Sequence, residues 1–118
     1  MDATLKERID LLHDTNQIND QIFNRLPSLL EEVEEYLNVK LTEENAGSFT
    51  SHISVALQRI AANEHVTEVS SELESVIGNN PEYYQFAKEL LKSGDTNIEA
   101  EAAFITLYFC LLTGKENA

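Results

Sequence analysis

A chain of 118 residues, 42% hydrophobic and 25% charged, has the length of one domain and enough apolar material for a core without metals or disulfides. Its 21 acidic residues against 8 scattered basic ones give a net charge of −13, so DNA, RNA and anionic membranes are repelled rather than neutralised. One cysteine, Cys110, excludes an internal disulfide.

The first predicted helix covers roughly residues 3–13, with Leu5, Ile9 and Leu12 as its apolar stripe. Asp14, Thr15 and Asn16 interrupt it. Ile18, Ile22, Leu26, Leu29, Val33 and Leu37 then continue at helical spacing. Pro27 lies inside this run, and its missing N–H predicts a break or kink near Arg25 to Pro27. Glu31, Glu32, Glu34 and Glu35 flank Val33 and form the wet side. Asn38 to Leu41 reads as a connection, and Thr42 as the N-cap of a helix opened by Glu43 and Glu44. Phe49, Ile53, Ala56, Leu57 and Ile60 form its apolar face to about Ala62.

Val66, Val69, Leu73, Val76 and Ile77 predict a further short helix, stopped by Gly78, Asn79 and Asn80. Pro81 suits the first position of the next helix, which ends at Ser93 and Gly94 with glycine in the usual capping place. Thr96 to Glu99 fits a capping box for a last helix running from about Asn97 to Thr113 and closing at Gly114. That helix is apolar nearly all round and is expected to be the most buried. The fold class is all-α, a compact bundle of roughly five to six helices in a single domain.

Neither a Gly-rich phosphate loop, a Cys-x-x-Cys pair, a His-Glu-x-x-His pair nor a Gly-x-Ser-x-Gly elbow is present. His13, His52 and His65 stand apart, without a second His or Cys at ligand spacing, and the acidic clusters point outward. The expectation is therefore no enzyme, no catalytic residue, no cofactor and no metal. The longest apolar stretch, Phe104 to Leu112 interrupted by Thr106, is too short to span a bilayer. No signal peptide is recognisable, so a cytoplasmic location is expected.

Four blocks carry a resemblance. Glu35 to Leu41, followed by Ser51 to Ile60, gives a helix end, a short link and a His-aliphatic block leading to Ala and Arg. Asn80 to Ala87 opens a helix and Ile98 to Leu107 forms the last one. From Tyr36 to Gly114 the chain resembles the PTS regulation domains (PRD) of bacterial antiterminators and activators, leaving residues 1–25 as an additional helical segment. The resemblance implies a homodimeric helical bundle and histidine phosphorylation by the phosphocarrier HPr or a sugar-specific EIIB component. It also implies a regulatory role in transcription or sugar uptake. Family members commonly carry a nucleic-acid-binding module; none is recognisable in these 118 residues, which predicts a stand-alone domain acting through a partner protein.

His52 matches the first family histidine, whereas the slot of the second is occupied by Tyr108. By this resemblance the domain keeps at most one of the two usual acceptors. Periodicity places His52 beside Ile53 at the edge of the apolar stripe, with Arg59 two turns on near the same face as a candidate phosphate partner. Read structurally, the same histidine is a hydrogen-bonded residue at the core's rim. Tyr108 is expected to pack in the core with its hydroxyl bonded, His52 being one possible partner. His13 and His65 match no acceptor and read as surface residues. The alternative function is a helical adaptor or dimerisation module that retains the fold without phosphorylation.

Overall fold

The computed structural model describes residues 2–94 and 96–114, and among these all regular structure is helical. Six helices follow in order: α1 (Ala3–Asp14), α2 (Asp20–Leu37), α3 (Glu43–Ala61), α4 (Ser71–Asn79), α5 (Pro81–Leu91) and α6 (Glu99–Thr113). They fall into two compact units, residues 1–58 and 59–118.

In the first unit, Asp2 caps α1 by accepting the Leu5 N–H at 3.3 Å. Leu5, Ile9 and Leu12 are the buried stripe of α1. The helix closes in a Schellman pattern, with Gln17 N–H donating to the Leu12 carbonyl and Asn16 N–H to that of His13. Asn16 takes the left-handed conformation at φ 63°, as do Asn38 after α2 at 54° and Asn63 after α3 at 57°. Asparagine tolerates this region better than any other residue except glycine, so three helices end without glycine.

The expected break at Pro27 is not there: α2 runs unbroken from Asp20 to Leu37 with Pro27 inside it. The proline ring lies on the exposed face, where water can serve the Phe23 carbonyl that loses its helical donor. On the opposite face Leu26, Leu29, Leu30 and Val33 are all buried and hold both halves in one line. Asn19 caps α2 through the Ile22 N–H at 2.9 Å. Thr42 caps α3 reciprocally: its hydroxyl accepts from Asn45 N–H at 3.3 Å while the Asn45 amide oxygen accepts from Thr42 N–H at 2.8 Å.

In the second unit, α4 begins at Ser71, later than the sequence pattern suggests. Ser70 caps it by accepting from Leu73 N–H at 3.3 Å, and Val66 before it is exposed rather than part of an apolar stripe. Asn80 joins α4 to α5; it is buried, and its amide donates to the Val76 carbonyl at 3.0 Å. Pro81 occupies the first position of α5. Gly94 is not the helix cap. The helix stops at Leu91 with Lys92 as C-cap, and Gly94, at φ 55°, belongs to a turn in which Thr96 N–H reaches the Ser93 carbonyl. The Thr96 capping box is also absent: α6 starts at Glu99, with Asn97 accepting from Glu99 N–H at 3.1 Å. The core of this unit is α6 packed against α4 and α5, with Ala100, Ala102, Ala103, Ile105, Phe109 and Cys110 inaccessible to solvent. Small residues at the start of α6 allow close helix approach, while Phe109 stacks edge-on with Tyr83 and tilted with Phe86.

Replacing Pro27 with alanine restores a donor for the Phe23 carbonyl in a helix that is already continuous. Thermal unfolding followed by circular dichroism should show Pro27→Ala more stable by about 1–3 kcal/mol, the gain being reduced by the freer unfolded chain.

Candidate functional site

The inner face of α3 is set by Ala46, Phe49, Ile53, Ala56, Leu57 and Ile60, all buried. His52 stands at the margin of this face. Its ring is half-buried and its Nε2 is shielded from solvent. The neighbouring Ser51 hydroxyl accepts from Arg8 Nη1 at 2.9 Å. Tyr108, between Leu107 and the inaccessible Phe109 on α6, is half-buried rather than enclosed. His52 belongs to the first unit and Tyr108 to the second.

Arg59, in the last turn of α3, is held by Glu101, a residue that the sequence pattern did not single out. Glu101 has no exposed surface, and it takes the guanidinium as a fork, Nε to Oε2 at 2.9 Å and Nη2 to Oε1 at 2.7 Å. The same Oε2 accepts the Val66 N–H at 3.2 Å. This bond fixes the segment between α3 and α4. The hydrogen bond to Glu101 raises the Arg59 pKa, against the lowering effect of burial. A buried carboxylate persists only when paired and hydrogen-bonded, and here both oxygens are engaged. The sequence did carry a signal: Glu101 is the acidic residue set among Ala100, Ala102 and Ala103 in an otherwise apolar run.

A second guanidinium cluster lies in the first unit and was also missed. Arg8 forms an ion pair and forked hydrogen bonds with Glu43, in the first turn of α3. The hydrogen bond from Arg8 is the main reason the Glu43 carboxyl titrates below its ordinary range. The associated stabilisation is therefore complete at neutral pH and is lost as the pH falls through that lowered value. Gly47 lies beneath the pair: a Cβ there would stand 2.9 Å from Glu43 Oε1 and 3.0 Å from Arg8 Nη2. An open cleft of about 300 Å³ borders the pair, lined by Thr4, Glu7, Arg8, Leu11 and Glu43. A smaller one of about 140 Å³ is lined by Lys6, Ile9, Asp10, Phe23, Asn24 and Pro27. In the larger cleft the mutual hydrogen bonds of Arg8 and Glu43 favour the charged form of each.

His13 and His65 are both half-buried rather than surface residues. His13 stacks on Phe23 at 4.2 Å between ring centroids, and its Nε2 lies 2.6 Å from Asp20. His65 has a shielded Nδ1. Among the described residues no group of three or more His, Cys, Asp or Glu is placed to hold a metal ion, and no helix is long and apolar enough to cross a membrane.

The family model of the PRD domain matches residues 27–110. The chain belongs to the PRD family. The match covers the second half of α2 through most of α6, so it includes His52, Arg59 and Tyr108 and leaves α1 outside. It starts earlier than the resemblance read from Tyr36 onward. No curated protein and no solved structure matches the chain. PRD domains are regulatory modules, and a regulatory role is the one this membership supports.

The Arg59–Glu101 fork makes a clear prediction. Arg59→Met should destabilise the PRD by about 3–5 kcal/mol at neutral pH, because Glu101 is left charged and unpaired in the interior. That loss should shrink toward acid pH, since the stranded carboxyl then takes up a proton more readily folded than unfolded. Urea unfolding across a pH series measures both effects.

Proposed function

We propose that this PRD is a non-catalytic, cytoplasmic regulatory domain that acts through a partner protein on transcription or sugar uptake, with His52 as its phosphoryl acceptor. The supporting observation is the position of His52: inside the family match, on α3, at the margin of the buried face and only partly buried. A neutral imidazole so placed can attack the phosphorus of a phosphohistidine on HPr or an EIIB component. One P–N bond breaks on the carrier, another forms on His52, and the carrier regains a neutral imidazole. Because Nε2 is shielded, transfer to that nitrogen requires the ring to swing outward about its side-chain torsions.

Phosphorylation adds close to two negative charges to a chain already at −13. In the homodimer this PRD is proposed to form, such charge at or near the subunit boundary changes the packing of the two copies. Arg59 is engaged by Glu101, so a phosphate recruits it only in competition with a buried carboxylate. No cofactor, metal, nucleic acid or membrane enters this reading. A second reading, an adaptor that keeps the fold without phosphorylation, is supported by Tyr108: the resemblance puts the second family histidine in its slot, and tyrosine lacks an imidazole nitrogen.

Incubation with phosphorylated HPr and the EII components distinguishes the two. The expected result is an acid-labile label on the wild-type PRD that disappears in His52→Ala. No label, or a label that survives the substitution, removes His52 from this role. The adaptor reading then predicts a partner complex indifferent to phosphorylation.

A further inference from the structure

We propose that α1 is a detachable strap, clamped over the first turns of α3 by Arg8, and that the clamp's ionic character lets α1 lift while the rest of the chain stays folded. The match to the family model begins at residue 27, so α1 lies outside the matched residues. Over twelve residues it buries only Leu5, Ile9 and Leu12. A helix with so narrow an apolar stripe belongs to the low-stability end of a fold unless something else holds it.

What else holds it is polar and lies along one ridge of α3. Asp2, the N-cap of α1, also accepts the Glu43 N–H at 3.2 Å, so one carboxylate serves the starts of two helices. Arg8 binds Glu43 through a forked pair and Ser51 at 2.9 Å, spanning two turns of α3. Gly47 lies between those two contacts, and its missing side chain is the space the fork occupies. Glycine inside a helix weakens it, so its presence at this position is consistent with a clamp that needs the room. The side chains of Arg8 and Glu43 remain 35% and 32% exposed, so dissolved salt screens their attraction. At its far end α1 is held differently, by His13 stacked on Phe23 of α2. Residues 15–19 supply the hinge between the two helices, and α1 carries the exposed Leu11 beside the cleft that borders the clamp.

Lifting the strap uncovers the surface beneath Leu5, Ile9 and Leu12. This device does not depend on phosphorylation of His52 and stands or falls separately from it.

Native-state hydrogen exchange on the full chain tests the strap. In the wild-type protein, amides of α1 are expected to exchange faster than those of Leu26–Val33 in α2, and to accelerate as sodium chloride is raised. Arg8→Gln is expected to accelerate α1 exchange at least about tenfold and to remove its salt dependence, with α5 and α6 unchanged. Gly47→Ala keeps both charged partners and favours the α3 helix, while its methyl crowds the ends of the Glu43 and Arg8 side chains and forces them to shift. It is expected to loosen α1 alone. Exchange of α1 in step with α2 under all conditions, or α1 protection unaltered in Gly47→Ala, overturns the proposal. If Arg8→Gln unfolds the whole chain, Gly47→Ala decides it.

Discussion

A carboxylate with no exposed surface, in a chain that carries 21 acidic residues and 8 basic ones, is the feature on which the second unit depends. Glu101 is tolerable only because Arg59 meets it as a planar fork and Val66 contributes a backbone N–H. Lysine could neutralise the charge but could not occupy both oxygens in one geometry. The pair ties the end of α3 to the first turn of α6 and fixes the intervening segment, which has few apolar anchors of its own: Val66 is exposed and Val69 only half-buried. Such a pair contributes less net stability than its geometry suggests, because both groups must be desolvated. Its larger effect is to penalise any arrangement that parts them.

The first unit solves a similar problem nearer to solvent. Of three arginines in the chain, Arg8 and Arg59 are each committed to a glutamate on another helix. The consequence for function is direct. A domain with so few cations, two of them engaged structurally, offers little standing positive charge to an incoming phosphate. Under the proposed reading, added phosphate would act mainly as repulsion, or else break a pair that the fold uses.

Much of the architecture was legible in the sequence. The helical repeat of Leu5, Ile9 and Leu12, and of Ile22 through Leu37, marks the buried faces because a helix placed on a core needs an apolar residue every three to four positions. Thr42 and Pro81 announced helix starts for reasons local to the backbone. The failures have physical causes of equal clarity. Pro27 does not break α2 because its ring faces water and four buried neighbours outweigh one lost hydrogen bond. Thr96 does not cap α6 because Asn97 supplies the oxygen two residues before Glu99. Gly114 caps α6 in the left-handed conformation as the pattern suggests, whereas α5 ends at Lys92 before Gly94 is reached. Glu101 and Arg8 were missed because the partner of each lies dozens of residues away, and pairing over such separations leaves no trace in local periodicity.

For the candidate site, periodicity placed His52 at the margin of the apolar stripe, and the half-buried ring agrees with that placement. Periodicity alone cannot separate a rim histidine from a phosphoryl acceptor, since both require the same edge position. What separates them is the freedom of the ring to present a nitrogen to a carrier. A shielded Nε2 makes the side-chain torsions the controlling variable, because the proposed transfer to Nε2 would require a rotamer change that the surrounding side chains permit or forbid. The Tyr108 position sharpens the argument. Tyr108, which the resemblance sets in the slot of a second histidine, carries a phenol, so under the proposed reading His52 would act without an imidazole at that position.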